Sequence, residues 1–248
     1  MKKISFLSFL LLLISFNFYG QNNQRTIDTI AISLLDRMAG VIGGLGSVSF
    51  EADISKDVKK AKYGLVREYS STEVYMVGPD KMHVQSNGTD GHKGYWYNGE
   101  TLVYYSFKEN NYSVLDAPSD IISMIDSINV NFGIEFPAAD LFYPDLVDTL
   151  IRDFDHISYL GEEEINGVNC FHIMAVNDAT NIQLWITDDA FFLPEKFLVI
   201  YKDDENIQYE VDFTKWKLNP DLPEEIFSFE PPPGARNIAI MVKTSIQE

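Results

Sequence analysis

This 248-residue chain predicts a β-rich α+β fold in which an antiparallel sheet is packed on one side. Three observations predict it. Of the three Asn-Gly dipeptides, Asn98-Gly99 and Asn166-Gly167 sit between strand-like runs and signal tight hairpins, because both residues accept the positive φ of a type I′ turn. Late in the chain, Ile207, Tyr209, Val211 and Phe213 point one way while Gln208, Glu210, Asp212 and Thr214 point the other. That two-residue period belongs to a strand with one buried face, and Ile182, Leu184 and Ile186 repeat it against Asn181, Gln183 and Trp185. Helical periodicity is confined to a segment near the start and an insert in the middle.

The elements follow in order. Lys2 and Lys3 precede a nearly unbroken apolar run over 4–18, closed by Tyr19-Gly20-Gln21. The run is shorter than the roughly 20 residues that span a bilayer and matches an export signal. The expected organisation is therefore a signal over 1–20, a polar spacer over 21–25 and one domain over 26–248. Ile27, Ile30, Ala31, Leu34, Leu35 and Met38 recur at helical spacing, with Gly40, Gly43, Gly44 and Gly46 expected to end the helix. Strands are expected at 47–54 and within 64–76, then a polar, mobile loop over 85–94, then the Asn98-Gly99 hairpin. Pro118 closes this stretch. Ser119 is the expected N-cap of a helix carrying Ile121, Ile122, Ile125 and Ile128. Asp145 opens a second helix with Leu146, Val147, Leu150 and Ile151. This helical insert, about 119–153, divides two runs of strands; the second run resumes at Ile157.

Composition excludes several functions. A formal net charge of −18 opposes nucleic-acid binding, which needs clustered cations, and it repels anionic membrane surfaces. No second apolar run is long enough for a bilayer, so no stable membrane insertion is expected once the signal is cleaved. Cys170 is the sole cysteine and lies far from the signal, so neither an internal disulfide nor a lipid anchor is expected. It reads as a small buried hydrophobe.

Motifs for catalysis are missing. His83, His92, His156 and His172 lack metal-ligand spacing, and Cys170-x-His172 offers two ligands where structural zinc takes four. Acidic runs at 162–164, 188–189 and 203–205 do not follow a calcium loop. No Gly-x-Ser-x-Gly elbow is present. Neither metal nor cofactor is expected, and the protein reads as non-enzymatic. Trp96, Tyr97, Tyr104 and Tyr105 cluster at the first hairpin, where packing is the default role.

The last third carries a family likeness. Leu184-Trp185-Ile186-Thr187-Asp188-Asp189, Leu193-Pro194-Glu195-Lys196, Tyr209-Glu210-Val211-Asp212-Phe213 and Ile226-Phe227-Ser228-Phe229-Glu230-Pro231-Pro232-Pro233-Gly234-Ala235 form a strand series closing on a Phe-x-Phe-x-Pro-Pro tail. The chain resembles the LolA/LolB-like periplasmic lipoprotein carriers and, still more, their relatives the predicted periplasmic DUF2092 proteins. The resemblance runs over roughly 26–235. It implies a curved antiparallel sheet forming an unclosed half-barrel, helices across the concave face, and an apolar cavity between them. The implied ligand is a lipid, acyl chain or lipidated protein, with an envelope protein as a further partner, in the periplasm. Cavity-lining candidates are Phe171, Ile173, Leu184, Ile186, Phe197, Val199, Tyr209 and Val211, with Leu34, Ile121 and Ile125 as a lid. The alternative is a module of the same fold whose core is filled and whose partner is a protein. The acidic charge departs from the basic surface of such carriers, and Arg67 does not sit among neighbours matching their conserved arginine.

Overall fold

The computed structural model describes residues 25–136 and 138–242. The expected signal, the spacer other than Arg25, and the last six residues of the expected domain lie outside the described residues. The chain enters through a two-residue strand β1 (Thr26–Ile27) and helix α1 (Thr29–Gly43). Asp28 caps α1 by accepting a hydrogen bond from the Ile30 amide at 2.8 Å. Ala31, Leu34, Leu35, Met38 and Ile42 form its buried face. Ile30 is 56% exposed, because it lies roughly a quarter turn from the centre of that face. The helix also runs past Gly40: burial of Ile42 carries it on, and the Gly44 amide closes it on the Gly40 and Val41 carbonyls.

Six strands follow as a meander: β2 (Ser47–Lys60), β3 (Gly64–Val77), β4 (Lys81–Gly88), β5 (Gly91–Tyr97), β6 (Thr101–Ser106) and β7 (Asn111–Asp116). The stretch expected as a mobile loop, 85–94, is instead the β4–β5 hairpin, paired from Met82–Tyr97 to Gly88–Gly91. Its glycines mark close approach. A Cβ on Gly94 would stand 2.3 Å from the Trp96 ring, and one on Gly88 would stand 2.4 Å from the Ser70 Cβ. The two Asn-Gly hairpins differ. Asn166 (φ 52°) and Gly167 (φ 84°) both take positive φ, as a type I′ turn needs. At the first hairpin only Gly99 does. There the Asn98 side chain accepts from the Glu100 and Thr101 amides, so an Asx turn replaces the expected type I′ turn.

The insert contains α2 (Ile121–Phe132), a 3₁₀ turn (Ala139–Phe142) and α3 (Leu146–Asp153). Asp120, not Ser119, caps α2, accepting from the Ser123 amide at 2.9 Å, and left-handed Gly133 ends it. A second meander follows: β8 (His156–Ile165), β9 (Val168–Val176), β10 (Thr180–Thr187), β11 (Pro194–Tyr201) and β12 (Ile207–Leu218). The tail makes a 3₁₀ turn (Glu224–Phe227) and a two-residue strand β13 (Arg236–Asn237).

All strands belong to one open sheet, ordered β1-β8-β9-β10-β11-β12-β2-β3-β4-β5-β6-β7-β13. Its internal pairings are antiparallel, and the two short end strands pair in parallel with β8 and β7. The meanders therefore meet at the β12–β2 seam, where Val211 lies opposite Ile54 and Tyr209 opposite Lys56. The sheet forms an unclosed half-barrel. Its inner face buries Val48, Phe50, Ala52 and Ile54 from β2, Val211 and Phe213 from β12, and Met124, Ile125 and Ile128 from α2. The outer face carries aromatic packing of its own: Trp96 lies between His83 (4.8 Å) and Phe229 of the tail (4.9 Å), and Phe229 also meets Tyr105 and Tyr112. Tyr97 points inward and is fully buried.

Candidate functional site

Following one face along each strand shows where the site arises. On β3 the inward series runs Val74, Thr72, Ser70, Glu68; on β4 it runs Met82, Val84, Ser86; on β5 it runs Tyr97, Tyr95, Lys93. On β2, Ile54 gives way to Lys56, and on β12, Val211 gives way to Tyr209. In register, these changes form a band across the sheet where the inner face turns from apolar to polar. A cleft of about 480 Å³ opens at that band. Ile54, Val84, Tyr95, Phe197, Val199 and Tyr209 make its sheet wall. Ile125, Asn129 and Val130 of α2, with Ile134, Phe136 and Ala139 beyond it, make the opposite wall. A separate apolar void of about 30 Å³ lies behind the cleft, sharing Val84, Ile125, Phe136 and Ala139 as a partition.

Polar groups ring the mouth. Asp90 is paired with Lys93 at 2.7 Å, and Glu68 with Lys60 at 2.7 Å. Asp126 accepts a hydrogen bond from the Tyr143 hydroxyl at 2.6 Å. Asp140 reaches solvent at the rim, yet protein crowds it. Desolvation first, and then the nearby charges of Asp126 and Glu135, push its carboxyl above its ordinary range. Burial likewise raises the phenols of Tyr95 and Tyr209, which stay neutral in the cleft wall. Among the described residues no group of His, Cys, Asp or Glu is placed to hold a metal ion.

Of the residues singled out in the sequence, Phe197, Val199, Tyr209 and Ile125 border the cleft. Ile121 borders only the small void. Ile173, Leu184, Ile186, Val211 and Leu34 lie in the packed core outside the cleft. Phe171 packs on Tyr159 and Phe192, with Arg37 over the Phe192 ring at 5.1 Å. The reason is α1, which packs against β8 and α3 and so fills the inner face at that end of the sheet. Sequence reasoning missed the β2–β5 wall and the polar mouth. The signal was present as inward series that lose apolarity partway along each strand.

The remaining candidates for chemistry are packed. Cys170 is fully buried, and burial raises its thiol to about 11. His172 lies within hydrogen-bonding distance of Glu163 (3.1 Å) and Gln183 (3.0 Å) and stacks on Trp185.

An open antiparallel sheet, helices on its inner face and a cleft between the two layers define an unclosed half-barrel. Lipoprotein LppX of Mycobacterium tuberculosis has a similar fold, with a TM-score of 0.53 at 13% identity, covering 79% of this chain and 99% of LppX. A LolA superfamily protein from Nitrosomonas europaea, NE2245, aligns over 80% of this chain and 97% of its own, with a TM-score of 0.37 and 13% identity. The family model described as "Predicted periplasmic protein (DUF2092)" matches residues 31–241, and the chain belongs to that family. The uncharacterized protein MJ0687 of Methanocaldococcus jannaschii is 22% identical over 230 residues; the match covers 92% of this chain and 58% of the length of MJ0687. Among the described residues no helix is long and apolar enough to cross a membrane.

Proposed function

We propose that this is an exported, non-enzymatic binding protein that holds an acyl chain, as a free lipid or on a lipidated protein, in the cleft between the sheet and α2. The observation that carries the reading is the cleft itself: about 480 Å³, with an apolar wall and a polar mouth. Alkyl groups bind such a wall by leaving water, at about 25 cal/mol per Å² of apolar surface buried, and need no precise polar constellation. Phe197, Val199 and Tyr209 are the contact residues, and Ile125 of α2 covers them. The family description supports a periplasmic setting, and the apolar run over 4–18 behind Lys2 and Lys3 supports export. The fold shared with LppX fits a carrier or sensor.

The test is native mass spectrometry of protein purified from its exporting compartment, followed by solvent extraction of anything retained. The expected result is a stoichiometric lipid. A bare protein mass that stays unchanged after exposure to phospholipids and fatty acids would overturn the reading in favour of a filled module that docks a protein.

A further inference from the structure

The mouth of the cleft is not uniform. On the sheet side its carboxylates are paired, Asp90 with Lys93 and Glu68 with Lys60, and Lys56 of β2 also lines the cleft there. On the side of the insert, Asp126, Glu135 and Asp140 border the same cleft. No ion pair to any of these three occurs among the described residues. Tyr143, Tyr201 and Tyr209 line the same cleft, and the Tyr143 hydroxyl donates to Asp126, so aromatic side chains and carboxylates without an ion pair share one cleft. The spacing does not suit an inorganic ion, since among the described residues no cluster is placed to hold a metal. Aromatic faces beside carboxylates attract an organic cation through both the ring quadrupole and direct charge.

We propose that the cleft takes an amphiphile with a cationic head, an alkylamine or alkylammonium group held at the insert-side rim while its chain lies along the Phe197–Val199–Tyr209 wall. The proposal rests on the acyl-binding reading and adds the charge of the head. A fatty-acid carboxylate would face three like charges there, whereas an ammonium relieves their mutual repulsion, the same repulsion that contributes to the raised Asp140 carboxyl.

The experiment compares dodecylamine, dodecanol and dodecanoate by isothermal titration calorimetry, each below its solubility or micellar limit, on the full chain. The expected result is at least about tenfold tighter binding of the amine than of either the alcohol or the carboxylate. The strongly acidic surface attracts any cation, so two variants separate site from surface. D126N/E135Q/D140N removes the rim charges. E162Q/E164Q/D188N removes three exposed carboxylates that do not line the cleft. The rim variant should lose the amine preference and still bind dodecanol as the native protein does, while the second variant keeps the preference. Equal loss in both variants, or a preference that survives the rim variant, overturns the proposal. Dodecanol or dodecanoate binding as tightly as the amine overturns it too and leaves the acyl-binding reading standing. If none of the three binds, both fall together.

Discussion

Ile125 sits on the partition between the cleft and the small void behind it, and it is 8% exposed. Ile125→Ala removes three carbons from that partition. At about 0.8 kcal/mol per buried methylene the lost transfer energy is roughly 2.4 kcal/mol, and residual cavity adds about 24 cal/mol per Å³. A void of about 30 Å³ already adjoins the site, so the wall cannot collapse to recover the loss. A destabilisation of about 2.5–4 kcal/mol follows, which for a domain of this size is roughly 5–15 °C in Tm. The same truncation joins the two spaces. A longer chain then gains new apolar wall, up to roughly fourfold in affinity per added methylene. Differential scanning fluorimetry with dodecanol and tetradecanol reads both effects. The variant should melt lower when free and recover part of the loss with tetradecanol, whose advantage over dodecanol should exceed that in the native protein. A Tm loss below about 2 °C would show that Ile125 is not a packed partition. An unchanged chain-length preference would show that the two spaces do not join, and either result refutes the reasoning.

Two further predictions concern the outer face. Gly94→Ala places a methyl against the Trp96 ring, which also packs on His83 and Phe229. It should cost about 1–3 kcal/mol in urea unfolding and alter the near-UV circular dichroism of Trp96; a neutral outcome would mean the hairpin is loose, as its glycine content first suggests. His83 has both ring nitrogens buried without a hydrogen-bond partner, and desolvation holds its pKa below the ordinary 6.5 despite the opposing charge of Glu73. The unfolded chain therefore binds this proton more readily than the folded one. The resulting stability is present above 6.5 and is lost as pH falls through the depressed value. Between about pH 7.5 and 5 the native protein should lose more urea stability than His83→Phe does; parallel pH profiles would remove His83 as the cause.

The one-sided antiparallel sheet was legible because its determinants are local, whereas its opening into a half-barrel was implied by the family likeness alone. Alternation on β10 and β12 and the Asn166-Gly167 turn specify strands and a hairpin without reference to the rest of the chain. Boundaries failed where tertiary contact decides them: α1 outruns Gly40 because Ile42 finds a buried place, and the 85–94 stretch is a hairpin in which Gly94 passes against Trp96 and Gly88 beside Ser70. The cleft was only partly legible for a related reason. Alternation identifies which residues face inward, but the helices decide which of those are covered. α1 fills the end where Ile173, Leu184 and Ile186 lie, and the insert leaves the band around Lys56, Glu68 and Tyr209 open. No spacing rule locates that band, since its members come from strands far apart in the chain.

The β12–β2 seam has a consequence for how the protein comes into being. Within each meander, strands pair with their neighbours in sequence, but the hydrogen bond from the Gln208 amide to Asp57 spans 151 residues. Such distant pairing is slow to form. The cleft straddles this join, with Ile54, Lys56 and Glu68 on one bank and Phe197, Val199 and Tyr209 on the other. A nascent chain ending before residue 207 holds one bank and lacks the β12 residues of the other, so the capacity to bind arrives late and all at once, with the last long strand.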